Sequence, residues 1–140
     1  MRPLILLLLL FGLSACREEA KWSSERKNKE IAIMVKEFKS EFKTIKADPN
    51  IADAKVLHDK KKHGLIIKIK LSWIFNVDKS LKATIKKSIE EETIKEMKNG
   101  SMVERYALKR LLKKGIYLQY KYYFPDGSLL TAFNLKQEHL

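Results

Sequence analysis

Apolar positions fall into two periods along most of this chain. After Ser23, Ile31, Met34, Val35, Phe38, Phe42 and Ile45 recur at spacings of three, four and seven, with lysines and glutamates filling the other side. That pattern predicts a helix with one buried stripe. Asp48-Pro49-Asn50 ends it, because proline lacks the amide hydrogen and biases its predecessor away from helical geometry. The period then becomes two. Ala52 to Asp59 reads as a weak strand, followed by the basic loop Lys60-Lys61-Lys62-His63-Gly64. Leu65, Ile67, Ile69, Leu71, Trp73 and Phe75 next alternate with Lys68, Lys70 and Ser72, which predicts an eleven-residue strand with the apolar set, Trp73 included, facing the core.

Asp78 or Ser80 can cap a second helix, with Val77, Leu81, Ile85 and Ile89 as its stripe, drifting toward Ile94 and Met97 and broken at Asn99-Gly100. Ser101 restarts a helix through Val103, Tyr106, Ala107 and Leu111, and Gly115 closes it. Ile116, Leu118, Tyr120, Tyr122 and Phe124 alternate with Tyr117, Gln119, Lys121 and Tyr123. Pro125-Asp126-Gly127 supplies a turn in which glycine takes a positive φ. Leu129, Thr131, Phe133 and Leu135 form the last strand. The expected fold is α+β in the order α-β-β-α-α-β-β: two hairpins in one four-stranded antiparallel sheet, with the helices packed on one face.

The first sixteen residues follow neither period. Leu4 to Leu13 is an uninterrupted apolar run, preceded by Arg2 and followed by Ser14-Ala15. About ten helical residues rise roughly 15 Å, half of what a membrane span requires, so the run reads as a secretory signal. Leu13-Ser14-Ala15-Cys16 resembles the lipobox of bacterial lipoproteins. The resemblance implies cleavage before Cys16, acylation of its thiol and a membrane anchor without a spanning helix. In a Gram-negative host it also implies the outer membrane, facing the periplasm, because Arg17 stands where an inner-membrane retention Asp would be; in a Gram-positive host the anchor is the outer leaflet of the single membrane. Cys16 is the chain's single cysteine, so an internal disulfide is excluded. The expected organisation is a signal peptide over 1–15, an acylated cysteine and short tether over 16–22, and one domain over 23–140. The tether reaches only about 20 Å.

The net charge is +12, with 29 Lys and Arg against 17 Asp and Glu. Outside the cytoplasm, the partners for such a chain are anionic lipid and acidic proteins. Catalytic motifs are absent: no nucleophile elbow, no phosphate-cradling glycine loop, no histidine pair at helical spacing. Glu90, Glu91 and Glu92 point in different directions around a helix. His58, Asp59 and His63 are close in sequence, but Lys60, Lys61 and Lys62 between them repel a divalent cation, so these read as surface-loop histidines. No metal and no cofactor are expected, and the chain is read as non-enzymatic.

One surface is a candidate for binding. If the apolar face from Leu65 to Phe75 is the core, the opposite face carries Lys68, Lys70, Ser72, Tyr117, Gln119, Lys121 and Tyr123. Lysines interleaved with tyrosines resemble single-strand nucleic-acid platforms in composition, but export argues against nucleic acid. An acidic protein partner is the expectation, in a protective role of the toxin-immunity or exclusion type. The alternatives are a pilotin-like envelope assembly factor and, with less support, an anchored hydrolase.

Overall fold

The computed structural model describes residues 21–73 and 77–140. Ser23 opens helix α1 (Ser24–Ile45): its hydroxyl accepts the Arg26 amide at 3.2 Å and its carbonyl the Lys27 amide at 2.9 Å. The hydroxyl thereby satisfies an amide that has no helical partner, and the carbonyl accepts the first i→i−4 bond of the helix. Ile31, Met34, Phe38, Phe42 and Ile45 are buried, as their spacing predicts. Strand β1 (Ile51–Asp59) pairs antiparallel with β2 (Gly64–Leu71). Their connection is fixed by Asp59, whose carboxylate accepts the amides of Lys61 and Lys62, both at 3.1 Å.

Asp78 caps helix α2 (Lys79–Lys98), accepting the Leu81 amide at 2.8 Å. Helix α3 (Met102–Lys113) ends at Gly115, whose φ of +85° few other residues adopt without strain. Strands β3 (Tyr117–Tyr123) and β4 (Leu129–Asn134) form the second hairpin through Gly127 at φ +88°, and a short 3-10 turn, Gln137–His139, follows.

The sheet order is β1-β2-β3-β4, with the three helices on one face. Each hairpin is antiparallel, as expected, but β2 and β3 run parallel where the hairpins join. A parallel neighbour requires a crossover of a dozen residues or more. The segment from 72 to 116, carrying α2 and α3, supplies it.

The core lies between the helices and one sheet face: Ala54 and Val56 from β1, Leu65, Ile67, Ile69 and Leu71 from β2, Leu118, Tyr120 and Tyr122 from β3. Phe133 of β4 stacks on Tyr120 and Tyr122, with ring centroids 5.6 and 6.5 Å away.

Four placements differ from the sequence reading. β2 stops at Leu71, and Trp73 is 53% exposed rather than core. The ladder has run out there: β1 begins at Ile51 opposite Leu71, and β3 ends at Tyr123 opposite Lys70. Phe75 lies outside the described residues. Val77, just before α2, is half-buried; within α2, Leu81 is exposed, Ile85 and Ile89 are half-buried, and the fully buried positions are Thr93 and Met97. In α3, Val103 and Tyr106 are exposed while Ala107, Leu108 and Leu111 are buried. In β4, a register shift opposite Tyr122/Tyr123 leaves Leu129 exposed and buries Leu130.

Candidate functional site

The sheet face away from the helices is built by register. Lys55 of β1 stands opposite Lys68 of β2, which stands opposite Lys121 of β3. Neighbouring strands lie about 4.8 Å apart, so this row sets three ammonium stems within about 10 Å at the backbone. Like charges placed directly across strands repel. On one side the row is flanked by Leu57, Ile66, Gln119 and Asn134, on the other by Asp53, Lys70 and Tyr123.

All five lysines and tyrosines singled out from the sequence therefore share this face: Lys68, Lys70, Tyr117, Lys121 and Tyr123, each half-exposed. They are not equivalent. Lys68 Nζ lies 5.9 Å from the Tyr123 ring centroid, a cation–π distance. Tyr117 lies against its neighbour's backbone, since a Cβ on Gly64 would come within 2.4 Å of Tyr117 Cδ1. Only glycine at 64 lets the ring lie there. Burial, and then the negative charge of Asp59, raise the Tyr117 pKa above its ordinary value.

Lys55 and Leu57 belong to the face but were missed, because the alternation of β1 is weak. Lys55 Nζ is 3.3 Å from Asp53 Oδ2, and Lys46 Nζ is 2.9 Å from Asp53 Oδ1. The Lys46 hydrogen bond is the main reason the Asp53 carboxyl titrates below its usual range. Leu57 is 41% exposed beside half-buried Ile66, which gives the face an apolar strip next to its charges.

The basic loop Lys60, Lys61 and Lys62 is exposed at the β1–β2 turn, continuing the face past Asp59 and Tyr117. His58 and His63 are not free loop residues. Both are half-buried and converge on Asn28 of α1: His58 Nε2 is 2.9 Å and His63 Nδ1 3.1 Å from Asn28 Oδ1. With each ring nitrogen donating to that carbonyl oxygen, the pair fastens the turn to the helix. Burial, then repulsion from Lys60, lowers the His58 pKa. Among the described residues, no group of three or more His, Cys, Asp or Glu could hold a metal ion.

Cys16 and the lipobox lie outside the described residues. The described chain begins beside the helical layer: Trp22 is buried, its ring 4.7 Å from the Arg26 guanidinium of α1 and 5.8 Å from that of Arg110 on α3. Among the described residues, no helix is long and apolar enough to cross a membrane. No family model, curated protein or solved structure matches this chain. What the face can do chemically is hold several negative charges at once, with an apolar strip and tyrosines alongside.

Proposed function

We propose that this chain is an exported, lipid-anchored bacterial envelope protein, fixed through Cys16, and that its open sheet face binds an acidic protein. The observation that carries the reading is the cross-strand row Lys55, Lys68 and Lys121, like charges whose mutual repulsion the Asp53 carboxylate beside Lys55 and the Tyr123 ring beside Lys68 offset in part. An anionic partner relieves that repulsion. Leu57 and Ile66 beside the row add the apolar contact that a stable protein interface needs at its centre. The tether supports a protein partner over the chain's own membrane. It leaves from the layer of α1 and α3, where Trp22 sits, while the lysine row lies on the opposite face of the sheet. Binding of this kind is non-enzymatic, and sequestering an acidic toxin or excluding an invader is the role it suits.

The test is purification of the acylated protein from its native envelope, beside the variant Lys55→Gln/Lys68→Gln/Lys121→Gln. An acidic protein retained by the native chain at low salt, released by salt and absent from the triple variant is the expected result. An unchanged set of bound proteins in the variant counts against the face. For the protective role, a deletion strain as resistant to the captured protein as its parent removes the idea.

A further inference from the structure

The early end of β2 leaves space between the sheet and α2, where a cavity of about 500 Å³ opens, well within the range of small-molecule sites. Its floor is carbon. Ile69, Leu71 and Tyr122 are buried there, with half-buried Ile51 and Ile89 as walls. The two hydroxyls at the base are already occupied: Thr93 Oγ1 donates to the Ile89 carbonyl at 2.8 Å and accepts the Tyr122 hydroxyl at 2.8 Å. A ligand therefore finds no free hydroxyl at the base and meets it with an apolar body.

The rim has the opposite sign from the rest of the molecule. Trp73, Asp48 and Glu92 stand there, all exposed, and no lysine or arginine is among the described lining residues, in a chain carrying 29 of them. Asp48 is held by its turn, its Oδ1 accepting the Asn50 amide at 2.9 Å. An exposed indole and two exposed carboxylates lining one apolar cavity suit an organic ammonium, which gains both cation–π and Coulomb attraction. Positive charges more than about 10 Å from the rim are largely screened at 0.1 M salt, and Lys95, one turn from Glu92 on α2, is the near cation that the two carboxylates and the indole outweigh.

We propose that this cavity binds a small aryl- or alkylammonium, its apolar body on Ile69, Leu71 and Ile89 and its cation at the rim between Trp73, Asp48 and Glu92. The site is separate from the lysine row, whose ligands carry the opposite charge.

The experiment uses the acylated full chain in lipid nanodiscs, labelled at the tryptophan indole nitrogens, with free ligand fixed by dialysis. The probes are (4-hydroxyphenyl)trimethylammonium and its neutral isostere 4-tert-butylphenol. The expected result is a saturable shift of the Trp73 indole signal with the ammonium, at least ten-fold weaker binding of the isostere, and no matching shift at Trp22. Asp48→Asn/Glu92→Gln alters only exposed side chains and should bring the ammonium down to the affinity of the isostere. Equal binding of the two probes, parallel shifts at both tryptophans, no saturable shift at Trp73, or undiminished ammonium affinity in the double variant would each overturn the proposal.

Discussion

Replacing Lys68 by glutamate should stabilise the domain while abolishing capture of an acidic partner. Lys68 is the middle of its row, directly opposite Lys55 on one side and Lys121 on the other. Charge reversal turns two repulsive cross-strand pairs into two attractive ones, and each such pair is worth about 0.2–1 kcal/mol. Against this, the variant loses the lysine's contact with the Tyr123 ring, about 0.5 kcal/mol at a partly exposed site. The balance favours the variant by up to about 1.5 kcal/mol, less if the Asp53 carboxylate that already pairs Lys55 competes with the new glutamate. For a domain of this size that raises the melting temperature by about 3–6 °C per kcal/mol. Thermal unfolding at 20 mM and 500 mM salt, on the native chain and on Lys68→Glu, Lys55→Gln and their combination, reads the effect. The gain should shrink at high salt, where screening shortens the range of each pair. It should also fall when Lys55 is already neutral, since one of the two new attractions is then missing. A Lys68→Glu protein that melts at or below the native temperature in low salt would show that the three ammonium groups do not interact. The charge argument for a binding face would fall with it.

The remaining predictions concern the core, the sheet–helix contact, pH and the anchor. Phe38→Ala, at a fully buried site, should cost about 3–5 kcal/mol, and Trp73→Ala about 1 kcal/mol or less, read by chemical denaturation. Thr93→Val deprives the buried Tyr122 hydroxyl of its partner and should cost about 1–3 kcal/mol; adding Tyr122→Phe should restore part of the loss, and a further fall of similar size would argue against the bond. Burial pushes the Tyr122 pKa up to about 12 from 10.0. The folded state therefore keeps a proton that the unfolded chain releases, and stability should fall as pH rises from about 10 to 12, by up to about 1.4 kcal/mol per unit from this group; Tyr122→Phe should lessen the slope in alkaline melts and leave the part due to Tyr120, whose pKa burial also raises. Cys16→Ala should move the protein out of the detergent phase, or leave the leader uncleaved, as phase partition and intact mass would report.

Much of this architecture was legible because burial is uniform along certain elements. The α1 stripe and the alternation of β3 each face one continuous core surface, so hydropathy alone identifies Ile31, Met34, Phe38, Leu118, Tyr120 and Tyr122 as buried. Alternation fails where pairing stops: Trp73 continues the period of β2 after both neighbouring strands have run out. In α2, Leu81 looks like core and is not, because the helix meets the sheet farther along, where Thr93 bonds Tyr122 and Thr131 donates to Glu90. Polar contacts of that kind leave no mark on a hydrophobic period. The Asn28 contacts to His58 and His63 bridge 30 and 35 residues of chain, beyond any local pattern. Of the candidate face, the lysines of β2 and β3 were readable, whereas their alignment with Lys55 depends on register and on the parallel joint between the hairpins.

That parallel joint gives the face its charge pattern. In the all-antiparallel sheet expected from the sequence, β3 would run the other way beside β2, and the positions facing Lys68 and Lys70 would come in reversed order. With β2 and β3 parallel, residues offset by a constant 53 positions stand opposite each other, Gly64 with Tyr117, Lys68 with Lys121, Lys70 with Tyr123. The first pairing seats a ring on a glycine, the second sets like charges side by side, and the third puts Lys70 beside the ring that Lys68 also approaches. Two of these pairings favour the fold and one opposes it. The one that opposes it lies on the sheet face away from the helices. A repulsive pairing at that position costs stability in the free protein and returns it on binding, so affinity for an anionic surface and destabilisation of the unbound domain should rise and fall together across variants of Lys55, Lys68 and Lys121.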